Sequence, residues 1–245
     1  MKKASFLFLF AIMAVTAVAQ NIQVHYDLGH SLCKDLTNRP SLTTTLELFK
    51  PDKWGNTFFF VDMDYADNGV ASAYWEISRE LKFWQAPVAI HVEYNGGLAS
   101  DEDTWQANRF QHAVLLGGAW NWHSADFSKT FSVQALYKYY FKNRHYGAHP
   151  FSGFQLTEVW GITFAKGLCT FSGFCDVWYN PDVNGKLIVM SEPQFWVNLN
   201  TLRGMQGVNL SLGSEVELSN NFVWNKRGEH NRFYALPTLA AKWTF

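Results

Sequence analysis

Phe233-Tyr-Ala-Leu-Pro-Thr-Leu-Ala-Ala-Lys-Trp-Thr-Phe245 ends the chain as a strictly alternating stretch. Counting back by twos from Phe245 gives Trp243, Ala241, Leu239, Pro237, Ala235 and Phe233, an apolar face with aromatic ends. The other face, Thr244, Lys242, Ala240, Thr238, Leu236 and Tyr234, is more polar. Period two marks a strand whose faces meet different environments. Transmembrane barrels ring each membrane interface with aromatics and close with their last strand, so this segment predicts such a barrel with Phe245 at its end. The ending also resembles the C-terminal signal that outer-membrane proteins present to the barrel assembly machinery, which is therefore an expected partner through Phe245.

The other end of the chain reads consistently. Met1-Lys2-Lys3 is a short positive region, Ala4 to Val15 is apolar, and Ala17-Val18-Ala19 before Gln20 is a small-x-small cleavage site. Segment 1–19 is read as a secretory signal peptide and 20–245 as one outer-membrane β-barrel. No cysteine follows the cleavage site, so a lipid anchor is not supported. Beyond it no apolar run approaches the length of a spanning helix, and whatever spans must then be a closed barrel.

Composition agrees. Aromatics make up 17% of the chain, with 11 Trp, as expected where aromatic belts ring a membrane. A net charge of -1 argues against nucleic acid as a partner, because neutralising phosphates takes a basic surface. Cys169 and Cys175 fall on one predicted strand about 20 Å apart, too far to bridge. With Cys33 in a loop, free thiols are expected.

Alternation predicts an all-β, antiparallel transmembrane barrel of about twelve strands: Ile22 to Leu28, Thr43 to Phe49, Thr57 to Tyr65, Ala73 to Leu81, Val88 to Asn95, Phe110 to Asn121, Thr130 to Phe141, Phe154 to Phe164, Cys169 to Tyr179, Lys186 to Leu199, Val208 to Leu218 and Arg232 to Phe245. The connections alternate in length. Lys50 to Gly55, Gln85 to Pro87, Ser124 to Ser128 and Ala165 to Gly167 are short, whereas Ser31 to Pro40, Gly96 to Arg109, Lys142 to Gly153 and Ser219 to Asn231 are long. Outer-membrane barrels have that asymmetry, with short turns in the periplasm. Ala66 to Val70 and Asn180 to Asn184 are short yet fall on the long side. Pro193 and Pro237 each remove a ladder hydrogen bond and predict local bulges.

Charge then sorts the faces. In Thr57 to Tyr65 one face carries Phe58, Phe60, Asp62 and Asp64, and carboxylates against lipid are costly, so that face points inward. The same rule places inside Asp27 with Gln23 and His25, then Glu47, Tyr74, Glu76 and Glu80, His91 and Glu93, and Lys138. It continues with Phe174, Asp176 and Trp178, then Glu192, Gln194 and Trp196, Glu215 and Glu217, and finally Arg232, Tyr234 and Lys242. Two strands resist sorting. His112 shares a face with Val114 and Leu116, and Glu158 with Leu156 and Trp160.

Such a lumen admits two readings. Its charges pair across the barrel and fill it, as in small barrels whose interiors are packed by side chains. Alternatively Phe58, Phe60, Tyr74, Phe174, Trp178, Trp196 and Tyr234 form a stacking track, where a flat ring gains roughly 1–3 kcal/mol per aromatic and polar neighbours bond a sugar. The second reading makes the protein a passive channel for a small polar or aromatic solute, nucleosides first.

Phe49 to Asp64, Tyr74 to Leu81, Ser191 to Asn198 and Glu215 to Phe222 resemble segments of a bacterial envelope family of unassigned function, a likeness that runs over essentially the whole mature chain. More remotely, the strand layout, the acidic-aromatic third and fourth strands and Phe245 resemble the Tsx-like nucleoside-specific channels. That resemblance implies a monomeric twelve-stranded barrel, in contact with lipid in the outer membrane of a Gram-negative bacterium, with a narrow lumen for nucleosides. The segment before Ile22 is too short to form a plug, so lining residues or long loops would have to narrow a pore.

An enzyme is not expected. Gly-x-Ser-x-Gly, Gly-x-Gly-x-x-Gly, P-loop and His-Glu-x-x-His patterns are all missing from the sequence. A barrel lipid hydrolase needs a Ser-His pair on the outer wall, and His112 is the one histidine placed to serve. His145-Tyr-Gly-Ala-His149 has a helical metal spacing but contains Gly147 and abuts Pro150 in a predicted loop, so no metal and no cofactor are expected. The remaining class is a structural or partner-binding barrel.

Overall fold

A computed structural model describes residues 19–66, 69–100, 107–224, 228–229 and 231–245; the expected signal peptide lies outside them but for its last residue. Twelve antiparallel strands close into one barrel. They are β1 Ala19–Asp27, β2 Leu42–Asp52, β3 Gly55–Ala66, β4 Gly69–Leu81 and β5 Val88–Ser100. Next, β6 is Ala107–Arg109 resumed as Ala113–His123, β7 is Lys129–Tyr140, β8 is Phe151–Phe164 and β9 is Cys169–Tyr179. Last, β10 is Leu187–Ser191 resumed as Gln194–Asn198, β11 is Leu210–Asn220 and β12 is Phe233–Thr244. Each strand pairs with the next, and β12 pairs with β1, Trp243 opposite Ile22 and Leu239 opposite Tyr26. The sheet thus closes on itself, which is the condition for backbone to sit in lipid.

The outer face is a solvent-exposed apolar belt. Ile22 is 43% exposed, Leu116 56% and Leu239 61%, each on the face opposite the buried residues of its strand. A water-borne monomer does not leave a belt of that extent uncovered, whereas a bilayer solvates it. Outward aromatics gather at the two rims. Trp54, Trp84, Trp120, Trp122 and Trp243 stand toward the short-turn end, and Tyr26, Tyr137 and Phe233 toward the long-loop end. No helix among the described residues is long and apolar enough to cross a membrane.

The loop and bulge expectations need correction. The loop from Gly96 to Arg109 is shorter, because β5 runs on to Ser100 and β6 begins at Ala107. The connection 199–209 lies at the short-turn end and is not tight; it folds as a 3-10 turn, Leu199–Thr201, followed by further turns. At Glu192-Pro193 strand β10 breaks without changing which face points inward. The Glu192 amide still reaches the Phe174 carbonyl, and the Pro193 carbonyl still accepts from the Val216 amide, so the register to both neighbouring strands holds through the break. Gly173 opposite this break has φ 154°, and a Cβ there would fall 2.5 Å from the Glu192 carbonyl oxygen, so the break and the glycine require each other. Pro237 interrupts the β11–β12 pairing but not its register; the Glu215 amide donates to Thr238 Oγ1 at 3.1 Å instead.

The short turns carry their own chemistry. Asp52 accepts from the Trp54 amide at 2.7 Å, and Asp126 accepts from the Ser128 amide at 3.1 Å, both Asx-type closures.

Candidate functional site: the barrel lumen

Strand alternation aims one face of each element at the axis, and the inward residues form two polar walls and two apolar stoppers. The first wall runs over β10, β11, β12, β1 and β2. Asn21 donates to Glu47 at 2.9 Å, Gln23 to Asn21 at 2.8 Å, and the His25 ring lies between Gln23 Oε1 at 3.0 Å and Thr238 Oγ1 at 3.2 Å. Gln194 donates to Glu215 at 2.5 Å, and Trp196 Nε1 donates to Gln194 at 3.0 Å. Trp196 is wholly buried; the Lys242 ammonium stands 4.1 Å from its ring centre and the His25 ring meets it edge-on at 6.1 Å. Farther toward the short-turn mouth lies a cavity of about 370 Å³ lined by Asn198, Ser211 and Thr244.

The second wall runs over β3 to β9. Glu80 accepts from Asn121 at 2.7 Å and Asn56 at 3.0 Å, and His91 Nε2 sits 2.9 Å from Glu93 Oε2. Tyr74 Oη donates to Glu76 at 2.6 Å. Lys138 Nζ donates to Gln155 at 2.7 Å and lies 5.1 and 5.2 Å from the ring centres of Tyr140 and Trp178. Gln155 donates to Thr157, and Thr157 to Asp176. Glu76 and Glu93, on adjacent strands β4 and β5, are within electrostatic reach of Asp176 although β9 neighbours neither strand, which shows how narrow the lumen is.

Between the walls runs a file of rings. Phe58 and Phe60 are 5.9 Å apart, Phe60 and Tyr74 6.0 Å, and Tyr74 and Phe110 6.3 Å. These side chains point inward and are only half-buried, so they border open lumen. Asp62 and Asp64, beside them on β3, are engaged by the wall: Thr45 donates to Asp62 at 2.5 Å, and Thr43 and Ser72 each donate to Asp64 at 2.7 Å.

The long-loop end is stoppered. Loop 28–41 turns into the mouth, where Leu36 packs against inward Tyr234 and Leu236, all nearly inaccessible. Arg39 in that loop donates to Asp27 at 2.5 Å and to Glu217 at 2.6 Å, and Ser219 completes the Glu217 shell at 2.8 Å. Burial works against the Arg39 charge, but Glu217 and Asp27 outweigh it and hold the guanidinium above its ordinary range. A second stopper forms where Val183 of loop 180–186 packs on Trp178 and Ile188. Ala113, Leu115 and Leu136 add an apolar patch on the inner face of β6 and β7.

The residues named from sequence thus lie as follows. Asp27, Glu47, Glu192, Trp196, Glu215, Glu217 and Tyr234 stand on the first wall or its mouth, and Phe58, Phe60, Asp62, Asp64, Tyr74, Glu76, His91, Glu93, Lys138, Phe174, Asp176 and Trp178 on the second. Arg232 does not line the lumen. It precedes β12, is about half exposed, and donates to Asp35 of loop 28–41 at the rim. The two unsorted strands place their polar residues outside. Glu158 is exposed on the lipid face at mid-strand of β8, opposite Cys175, and His112 Nδ1 meets Tyr94 Oη at 2.6 Å, a His-Tyr pair and not a Ser-His pair. The three cysteines are free.

Reasoning from sequence passed over Arg39, Leu36, Phe110 and Asn95. Only Asn95 had a local signal, since it continues the His91, Glu93 parity on β5. The others come from segments without periodicity.

Among solved structures, the chain is similar to a bacterial polysaccharide outer-membrane secretin (11% identity, TM-score 0.41, 93% of this chain and 98% of that one). It is also similar to the outer-membrane channel DcaP of Acinetobacter baumannii (8% identity, TM-score 0.36, 94% and 96%). No curated protein matches it. Over residues 19–245 the chain belongs to the family described as a domain of unknown function, DUF5020.

Proposed function

We propose that this protein is a narrow outer-membrane barrel channel of a Gram-negative bacterium, acting as a monomer and admitting small polar solutes with a flat ring, nucleosides first. The observation that carries the reading is the half-buried file Phe58, Phe60, Tyr74 and Phe110, with ring spacings of 5.9 to 6.3 Å and carboxylates alongside. A ring passing along such a file exchanges one stacking partner for the next, and the inward carboxylates accept from its hydroxyls and amines. On this reading loop 28–41 lies outside the cell, the short turns lie in the periplasm, segment 1–19 is the cleaved export signal, and Phe245 addresses the assembly machinery. Liposome swelling tests it: nucleosides should enter faster than sugars or amino acids of similar size.

A second reading is favoured by wholly buried Trp196 toward the short-turn end and by the Arg39 latch at the long-loop end. It makes the barrel a structural or partner-binding element without flux. Swelling equal to that of protein-free liposomes, for every solute, selects it.

A further inference from the structure

Asn95 projects from β5 into the lumen with 4% of its surface exposed, and neither end of its amide has a hydrogen-bond partner. An amide buried with donor and acceptor both unmet is costly, and folded proteins retain one where something else supplies the partner. Glu93, the preceding inward residue on the same strand, also has one carboxylate oxygen, Oε1, without a partner. Glu76 stands directly across the ladder from Asn95.

The next inward position is Gly97, and its missing side chain is what makes room for a ring. A Cβ there would fall 2.1 Å from Phe110 Cδ2, so Phe110 lies over the glycine, 6.3 Å from Tyr74, the cross-strand partner of Gly97. A donor-acceptor amide therefore sits at the foot of an aromatic pair, with carboxylates on two sides.

A carboxamide pairs bidentately with an exocyclic amine and the adjacent ring nitrogen of a heterocycle, as Asn does with adenine, while the ring stacks on aromatics. An unpartnered carboxylate oxygen only accepts. Glu93 Oε1 is thus suited to the second hydrogen of the amine, which an oxo base lacks. Lys138, the cation facing these carboxylates, already gives its ammonium to Gln155, so a phosphate would meet carboxyl groups in place of a free ammonium.

We propose that Asn95, with Glu93 and the Tyr74–Phe110 pair, is the specificity-determining subsite for an unphosphorylated nucleoside bearing an amino group beside a ring nitrogen, such as adenosine or cytidine. The inference rests on the nucleoside reading above. Purified barrel in detergent is titrated calorimetrically with adenosine, cytidine, uridine and AMP. Wild type should bind adenosine and cytidine at least tenfold more tightly than uridine, and AMP more weakly still. Asn95→Leu, checked for folding by heat-modifiable migration, should lose tenfold or more for adenosine and cytidine. Asn95→Asp, which keeps the shape and removes the donor, should do likewise if the leucine variant fails to fold. Glu93→Gln should bring cytidine and uridine together. Adenosine binding unchanged in a folded Asn95 variant overturns this assignment alone, with water then left as the partner of the amide. Wild type binding no nucleoside overturns the nucleoside reading and the assignment with it.

Discussion

Arg39 of the first long loop donates from Nη2 to Glu217 of β11 over 2.6 Å, while its Nε holds Asp27 of β1. The two carboxylates stand on the strands flanking β12, so one guanidinium straddles the strand that closes the barrel. The contact both fastens the loop and bridges the closure, which ties access to the lumen to barrel stability.

Arg39→Ala should therefore do two things at once. Losing the cation leaves two mostly buried carboxylates unpaired, a penalty of about 1–3 kcal/mol. Urea unfolding of the refolded barrel measures that loss, and single-channel conductance in planar bilayers should rise as Leu36 leaves the mouth. Unchanged stability and unchanged conductance together would show the latch to be incidental.

Trp196 packs the interior toward the other end. Truncating it to Ala removes the ring that Lys242 covers, a cation–π contact worth about 2 kcal/mol when desolvated, and opens space toward the cavity at the short-turn mouth. Larger sugars should then enter liposomes that exclude them with wild type. If the size cut-off stays where it was, the constriction lies elsewhere.

The ring file and its carboxylates are separable. Phe58→Ala with Phe60→Ala should weaken nucleoside binding by several kcal/mol at most, while small-ion conductance survives or rises. Asp62→Asn with Asp64→Asn should lower the preference for cations over anions, read from reversal potentials across a salt gradient. Nucleoside affinity insensitive to the loss of both rings would move the stacking track to Tyr74 and Phe110.

Glu158 is a carboxylate on the lipid face at mid-strand, where charge destabilises a barrel. Glu158→Leu should stabilise the protein by about 1–2 kcal/mol in lipid. Stability that falls instead, measured by urea titration in vesicles, would mean that Glu158 has a partner in the membrane.

Sidedness is checked by labelling. In protein with its three cysteines changed to Ser, a single cysteine at Lys34 should react in intact cells with an impermeant maleimide, and one at Ala125 only after the outer membrane is broken. Reaction at Ala125 in intact cells would reverse the topology.

Much of this was legible in the chain. The alternation in Thr57 to Tyr65, with Asp62 and Asp64 on one face, and the stretch from Phe233 to Phe245 suffice for a closed barrel, because strand period and the cost of charge in lipid are local properties. The parity of most inward residues follows in the same way, Asn95 included once His91 and Glu93 are placed. Glu158 and His112 resisted because on their strands parity and the charge rule disagree; the structure follows parity, since the ladder rotates every residue by a half-turn whatever its cost. Which inward groups meet was not legible at all. Arg39 finds Glu217, Val183 finds Trp178, and Asp176 faces Glu76 only because closure and loop return bring distant segments to one axis. The orphaned amide of Asn95 beside Phe110 depends on a glycine whose missing side chain has meaning only when a ring arrives from another strand. The sequence alone determined that the chain is a membrane barrel and which faces point inward, through rules that act over two residues. How that interior is latched and packed was decided by tertiary structure, where contacts span the whole circumference.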